Sequence, residues 1–457
     1  MQQTGGEAVV AALEALGVQH VFGIVSVHNL PIVDALGRSS IEMVAVRHEQ
    51  GAAHAADGYA RATGRLGVAL TSTGPGAANA MGGLLEAYHA SSPVLMITGQ
   101  SETRWLDKGR STIHEFPRQL DMLRTVTRRA ESVLHRADVF DAVVTAGRDA
   151  LSGRPRPAAV EIPIDLQYAR ADAADPGGVR EPVRTVPDHA LIARAADLLS
   201  AAERPLIWAG GGVVSGGAAA ALTELAEALG APVLTSVEGR GAIAEDHRLA
   251  LGPNGDMAAL DPVIADADVV LAVGTRFQLG SNLQMGLSIP GRLIHIDADP
   301  GSIDRFHPVD LGIVADADLA LRSLSGLIAG AARSQIDAEY VDRALAARRA
   351  IDDDGAAAMG VDMRMVMDEI ARSTDRHDIV VKDSTVAGIV WANRLLPVRA
   401  PRTSMRPVSG AIGPGLPLAI GAAVGTGRRT VVIQGDGGFM LSVGELATAV
   451  QVGAPVI

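Results

Sequence analysis

The 457-residue chain contains no cysteine, which excludes disulfides, thiolate metal sites and cysteine nucleophiles together. Aromatic residues make up only 3% of it. Its core must therefore be built from Ala, Val, Leu and Ile, a composition suited to layered α/β structure. No long basic run occurs and the net charge is -12, so the electrostatic footprint of a nucleic-acid binder is missing. The opening MQQTGGEAVVAALEALG reads as an amphipathic helix, without the basic segment, apolar core and small-residue cleavage site of an export signal. The longest uncharged run, Pro407 to Gly427, is rich in Gly and Pro and carries Ser409. It reads as a buried loop and helix start rather than a membrane span. The expectation is a soluble, cytoplasmic protein with neither membrane nor nucleic acid as partner.

What the chain does contain is glycine, 51 residues of it, and 48% hydrophobic residues. The length favours about three domains of roughly 150 residues. Three blocks alternate apolar β-rich runs with Ala/Leu-rich helical patterns, the signature of parallel sheets covered by helices. The predicted fold is α/β, with three doubly wound parallel-sheet domains at residues 1–172, 188–332 and 355–457. The first block holds HVFGIV, MVAV, GVALTS, PVLMITG and AAVEIPI and ends in DAADPGGVREPVRTVP, which reads as a linker. The second holds PLIWAGGG, PVLTSV, DVVLAVGTRF and LIHIDADP. The third holds DIVVKDST and TVVIQGDGGF and stops on the apolar strand start APVI, so it reads as incomplete.

Several stretches carry chemistry. In RHEQGAAHAADGYARATG, Glu49 shares a helical face with Ala52, Ala53, Ala56 and Ala60. It reads as an acid turned toward a close-packed neighbour, while Asp57 and Arg61 read as an ordinary solvated pair. In VVIQGDGGFMLSVGEL an apolar strand runs into Gly435, Asp436, Gly437 and Gly438. The glycines admit an anion near the backbone, and Asp436 at a strand's carboxyl end could hold a hard cation beside phosphate oxygens. Ser442 and Glu445 match a capping box that would start the next helix. A ligand-free Asp-Gly turn is the bland alternative.

TSTGPGAAN, with Gly74, Pro75 and Asn79, and SGAIGPGLPLAIGAA, with Gly410 and Ile412, repeat the grammar of strand, Gly/Pro loop and small-residue helix. WAGGGVVSGG, with Gly211 and Gly212, departs from the dinucleotide pattern at Ser215. Asp297 closes RLIHIDAD, from where a carboxylate can hold a ribose hydroxyl. A Gly-rich turn in an empty Rossmann-like domain accounts for these residues equally well.

Taken together, and in this order, RHEQGAAHAADGYARATG, TSTGPGAAN, GAIGPGLPLAIGAA and GDGGFMLSVGELATA resemble the thiamine-diphosphate enzymes of the acetolactate synthase type. AGGG, VGTRF and HIDADP resemble that family's central domain. The resemblance implies a pyrimidine-binding domain, a central domain that holds FAD in some members, and a diphosphate-binding domain. It also implies a homodimer or homotetramer, with the cofactor between the pyrimidine domain of one subunit and the diphosphate domain of another. Glu49 would share a proton with N1' of the aminopyrimidine and so promote loss of the thiazolium C2 proton. Asp436 would bind Mg2+, and the Gly435, Gly437 and Gly438 backbone the diphosphate. The Gly410 carbonyl would accept from the 4'-amino group, and Ile412 would keep the cofactor bent. Gly74, Pro75 and Asn79 would line the pyrimidine side. Gly211, Gly212, Arg276 and Asp297 would border any FAD.

This sequence departs from the family in places. The second magnesium ligand, an Asn downstream of the Asp, would fall after Ile457. The acidic pair that follows Arg-Phe in acetolactate synthases is absent from VGTRFQLGSN. The first cleft loop reads GIVSVHN rather than a Gly-Gly pair, with His28 where benzaldehyde lyase also carries a His. IHEFPRQ replaces a Phe-Gln, with His114 or Pro117 in the glutamine's place. His28 and His114 would suit proton shuttling at a bound adduct, although a loop His is also commonly a surface or satisfied core residue. The expected activity is decarboxylation of a 2-oxo acid, pyruvate by default, with transfer to an acceptor carbonyl or a proton. The alternatives are a hydroxyketone lyase or carboligase acting on aldehydes, like benzaldehyde lyase, and a non-catalytic nucleotide-binding scaffold.

Overall fold

A computed structural model describes residues 2–173, 182–277, 288–332 and 334–457. Part of the expected linker and the stretch directly after Phe277 lie outside the described residues. The chain forms two compact units: residues 1–183 with 379–385 and 405–457, and residues 184–378 with 386–404.

The first unit carries a six-stranded parallel sheet with the spatial order Glu42–Ala45, His20–Gly23, Gly67–Thr71, Val94–Gln100, Ala158–Pro163, Arg129–Ser132. The Gly67–Thr71, Val94–Gln100 and Ala158–Pro163 strands are buried along their whole length, as expected when helices cover both faces. From His20–Gly23 the chain winds outward to Glu42–Ala45, then returns to place Gly67–Thr71 on the other side. The carboxyl ends of these two neighbouring strands therefore flank a topological switch point, the crevice where α/β sheets bind ligands.

In the same unit Ile379–Lys382 pairs in parallel with Thr430–Ile433. Thr430 N–H donates to the Pro455 carbonyl at 2.8 Å and Val432 N–H to the Ile457 carbonyl at 2.8 Å, so APVI lies alongside Thr430–Ile433 through a parallel bridge.

The Glu49–Thr63 helix is the hub of this unit. Ala52, Ala53 and Ala56 face their own sheet and the Met81–Ala90 helix, where a Cβ on Gly83 would lie 2.5 Å from the Ala53 Cβ. The adjoining stripe, Ala55 and Gly58, meets the Gly415–Thr426 helix of the same chain backbone to backbone. A Cβ on Gly58 would sit 2.0 Å from the Leu418 carbonyl oxygen, and one on Gly421 1.8 Å from that of Ala55. Small residues are thus consumed on two sides of the helix, one more than its sequence suggested. The expected solvated pair is also corrected: the Asp57 side chain is fully buried, Arg61 is 11% exposed and the two lie 3.7 Å apart, because Glu86 of the Met81–Ala90 helix and the Arg406 carbonyl cover that side.

The second unit is a six-stranded parallel sheet ordered Ala250–Gly252, Val233–Thr235, Pro205–Ala209, Val269–Val273, Arg292–Asp297, Leu311–Val314. Its switch point falls between Pro205–Ala209 and Val269–Val273. Among the described residues no helix is long and apolar enough to cross a membrane.

Two outcomes follow from the hub helix. Gly58→Ala forces a methyl group against a backbone oxygen that cannot step aside. Urea denaturation should show a loss of about 3 kcal/mol, whereas Gly326→Ala, in open space in a helix of the second unit, should be neutral or stabilising. His54, 2% exposed, is held by burial down to about 4 from 6.5. It stays neutral when folded, while the unfolded chain takes up the proton below its ordinary value. The stability this contributes is complete above about pH 6.5 and is lost as pH falls toward 4, on the order of 3 kcal/mol. Denaturation midpoints across that window should fall, and less steeply in His54→Gln.

Candidate active site

Glu49 is the first residue of its helix and is half-buried. His48 caps that helix, its Nδ1 accepting from Gln50 N–H at 3.2 Å. Immediately before the helix, the Arg47 and His48 amides donate to Glu445 Oε1 at 3.0 and 3.1 Å. Glu445 is 3% exposed and its other oxygen accepts from the Thr448 hydroxyl at 2.6 Å. A Cβ on Gly51 would strike Glu445 Oε1 at 2.4 Å, so that glycine makes room for the carboxylate. A negative charge is favourable at a helix N-terminus.

The capping box expected at Ser442 and Glu445 does not form. One helix runs Asp436–Ser442 and the next does start at Glu445, but with Gly444 as its cap and no side-chain cap hydrogen bond; the Glu445 carboxylate serves the Glu49 helix instead. Glu49 Oε2 accepts from Asn79 Nδ2 at 3.1 Å, and a Cβ on Gly76 would come within 3.1 Å of Oε1. Glu49 and Asn79 are therefore brought together, beside the Gly74–Gly76 turn.

That turn is set by a residue the sequence reading passed over. Gln119 is 2% exposed and uses its whole amide. Its Oε1 accepts from Gly74 N–H at 2.7 Å and the Thr73 hydroxyl at 2.9 Å, while Nε2 donates to the Gly99 carbonyl at 3.2 Å and Glu161 Oε2 at 3.0 Å. Burial pushes the Glu161 carboxyl up, against hydrogen bonds from Gln119, Ser132 and Gln100. Gly74 has φ +57, and a Cβ there would lie 2.2 Å from the His114 carbonyl oxygen. Pro75 is exposed at the first turn of the following helix.

His28 and His114 also meet: their ring centroids are 5.3 Å apart. His28 is 8% exposed, and burial, then His114, hold it below the ordinary imidazole range. Of the two candidates in IHEFPRQ, His114 is thus the one in ring contact with His28.

In the last block Asp383, 1% exposed, is a second residue that was missed. It accepts from Gly413 N–H at 3.0 Å and Gln434 Nε2 at 2.6 Å, and a Cβ on Gly438 would lie 2.8 Å from its Oδ2. One buried carboxylate therefore ties together the two loops bearing Gly410 and Ile412 and bearing Asp436 and Gly437. Glu86, fully buried in the Met81–Ala90 helix, accepts from the Val408 and Ser409 amides at 2.6 and 3.0 Å and fixes the approach to Gly410. Gly410, at φ +80, Asp436, Gly437 and Ile412, the last 56% exposed, all face outward.

Gly437 has an ordinary φ and no protein atom within 4 Å of a would-be Cβ. Neither conformation nor packing requires a glycine there, which fits a diphosphate approaching from outside. Among the described residues no set of three or more His, Asp or Glu converges as a metal site.

In the second unit the glycines have an internal use. A Cβ on Gly210 would lie 2.1 Å from the Gly274 carbonyl oxygen, and one on Gly212 2.6 Å from the Gly274 Cα. Gly211 lies alongside Glu238. The backbones on either side of the switch point pack directly, which gives Gly210 and Gly212 a packing role. Asp297 Oδ1 accepts from Asp299 N–H at 2.8 Å, and Arg276 is half-buried beside Phe277.

Parallel sheets whose strand ends present a buried-neck acid, a Gly-Pro-Gly turn and a strand-Gly-Asp-Gly-Gly-helix define a cofactor-dependent α/β enzyme. Sequence profiles of the thiamine pyrophosphate enzymes match residues 3–123 as the N-terminal TPP binding domain, 192–324 as the central domain and 388–457 as the C-terminal TPP binding domain. The chain belongs to the thiamine pyrophosphate enzyme family. It is a thiamine-diphosphate-dependent enzyme of the acetolactate synthase-like branch, which sets aside the scaffold reading.

It is 36% identical over 450 residues to a probable 2-ketoarginine decarboxylase of Pseudomonas aeruginosa, covering 98% of this chain and 79% of that protein. It is 34% identical over 471 residues to a probable acetolactate synthase large subunit of Methanocaldococcus jannaschii, with 99% and 79% covered. To the acetolactate synthase isozyme 3 large subunit of Escherichia coli K12 it is 33% identical over 476 residues, with 99% and 81% covered.

Glu445→Ala leaves two amides at the neck of the Glu49 helix without their acceptor. A stability loss of about 3 kcal/mol is expected, read as a lowered urea midpoint. Glu445→Gln, which keeps one carbonyl acceptor, should lose less.

Proposed function

We propose that this enzyme decarboxylates a 2-oxo acid and passes the acyl unit to an acceptor carbonyl or a proton. The observation that carries the reading is Glu49, held by Asn79 at the mouth of a helix whose neck is fixed by Glu445. When bound, thiamine diphosphate supplies a carbon that adds to the donor carbonyl and takes up the electron pair left by departing carbon dioxide. Glu49 would hold a proton at the pyrimidine N1' atom. Asp436 would bind Mg2+, with the Gly435, Gly437 and Gly438 backbone toward the diphosphate, and Asp383 would keep that loop in register with Gly410 and Ile412.

A homo-oligomer, a dimer at least, belongs to this reading, with Glu49 of one subunit serving the diphosphate loop of another. Pyruvate is the default donor because of the acetolactate synthase relatives. The relative named for 2-ketoarginine makes a longer, cationic 2-oxo acid the second donor to try. FAD is the candidate ligand of the central domain, although AGGG also serves packing there, and a yellow colour on purification is its test.

The contact between His28 and His114 supports a second reading, a hydroxyketone lyase or carboligase, in which the two imidazoles exchange a proton with a bound carbonyl or hydroxyl.

With thiamine diphosphate and Mg2+ added, carbon dioxide release from pyruvate or 2-ketoarginine is expected, and Glu49→Gln should lower it by about 100-fold or more. Undiminished release in Glu49→Gln would sink the assignment of the acid. Cleavage of benzoin to benzaldehyde without carbon dioxide release from either acid would favour the lyase.

A further inference from the structure

The crevice at the first unit's switch point contains a hydrogen-bonded chain that the proposed chemistry has not yet used. Ser72 lies directly beyond the Gly67–Thr71 strand and is 5% exposed. Its hydroxyl is 2.6 Å from the Ser26 hydroxyl, which belongs to the loop following the neighbouring strand, and 3.2 Å from His114 Nδ1. Ser26 Oγ also receives the His28 amide at 3.4 Å, and the Ser26 amide donates to Asn29 Oδ1 at 2.8 Å. Asn29 is fully buried and in turn donates to the Ile24 carbonyl at 3.0 Å. The loop bearing Ser26 is therefore fixed from within.

Two directions satisfy the hydrogens, and the forward one keeps every donor on a protein acceptor. If each hydroxyl donates forward, the order is His28 N–H to Ser26 Oγ, Ser26 O–H to Ser72 Oγ, and Ser72 O–H to His114 Nδ1. Each of these donors then ends on a protein acceptor. In the opposite sense Nδ1–H would donate to Ser72, and the Ser26 hydrogen would have to leave the chain for solvent. The forward order requires a bare Nδ1 on His114 and therefore a proton on Nε2. In a neutral imidazole, the hydrogen bond at one ring nitrogen selects the role of the other.

We propose that Ser72, backed by Ser26, is a positioning residue. It holds His114 as the Nε2–H tautomer, with the ring turned so that Nε2 can donate to a substrate oxygen. The inference rests on the reading that His114 exchanges a proton with substrate. It extends that reading by assigning His114 the donor role at the outset, and it leaves the inward-lying His28 as its neutral neighbour. Two loops are clamped by the same hydroxyl pair, so the ring orientation is inherited from the two strand ends that flank the switch point rather than from the long segment that carries His114.

The test uses the full-length enzyme with histidine labelled at the ring nitrogens, the His114 signal being identified by its loss in His114→Gln. In the unaltered enzyme Nδ1 should resonate as an unprotonated acceptor and Nε2 as a protonated nitrogen. Ser72→Ala should mix or invert this pattern and lower turnover roughly fivefold or more. Ser72→Thr, which keeps the hydroxyl, should restore both. Ser26→Ala cuts the chain one link further out and should weaken the pattern in the same direction, which serves if Ser72→Ala does not fold.

An Nδ1–H pattern in the unaltered enzyme, or a pattern unmoved by Ser72→Ala and Ser26→Ala, overturns the inference whatever the activities are. Unchanged turnover in His114→Gln instead overturns the assignment of His114 on which it rests. The nitrogen spectra and that single activity measurement keep the two failures apart.

Discussion

The first unit depends on the direct backbone contact between the Glu49–Thr63 and Gly415–Thr426 helices. At Gly58 and Gly421 a methyl group would fall about 2 Å from a carbonyl oxygen, inside any tolerable contact distance. This approach brings the last block against the first, and three buried carboxylates exploit it. Glu445 reaches the neck of the Glu49 helix, Glu86 reaches the loop before Gly410, and Asp57 lies against Arg61. Each links segments more than three hundred residues apart or charges that isolated helices would leave in water.

These carboxylates divide the labour in a consistent way. The groups expected to touch cofactor, namely Glu49, Gly410, Ile412, Asp436 and Gly437, lie at half-buried or exposed strand and helix ends. Behind each stands a buried polar group that accepts from at least one backbone amide of a neighbouring loop: Glu445, Glu86, Asp383 or Gln119. A carboxylate receiving amide hydrogens fixes a loop with little freedom, because an alternative loop path would strand the buried acceptor. The outward-facing groups can then be held ready without packing of their own.

Much of this was legible in the sequence, and the division between what was read and what was missed has a physical basis. The strands, the Gly-Pro-Gly turn and the Gly-Asp-Gly-Gly turn declare themselves locally, through burial pattern and backbone geometry. Glu49 stood out because an acid at the head of an Ala/Gly helix has no local reason to be there. His28 and His114 were nominated separately, and their contact could come only from the fold. Gln119 and Asp383 were overlooked because their partners are polar groups of loops distant in sequence, which leave no periodic trace. Ser442 and Glu445 satisfied a local capping pattern, yet the stronger claim on the carboxylate came from Arg47 and His48. Asp57 and Arg61, four residues apart, look alike whether their side of the helix meets water or a second helix. In the middle block AGGG fitted a nucleotide loop and an empty turn equally, and the close approach to Gly274 supplies the physical need for its glycines.

The bond from Glu445 to the amides before Glu49 also bears on the life of the chain during its synthesis. The two residues are separated by nearly four hundred positions, so at translation rates of 5–20 residues per second roughly 20 to 80 s pass between the ribosome's addition of one and of the other. For that interval the acid's helix has an unfinished collar and an uncovered glycine stripe. A nascent polypeptide thus carries every residue of its N-terminal half-site long before the contacts that fix the neck of that helix can form.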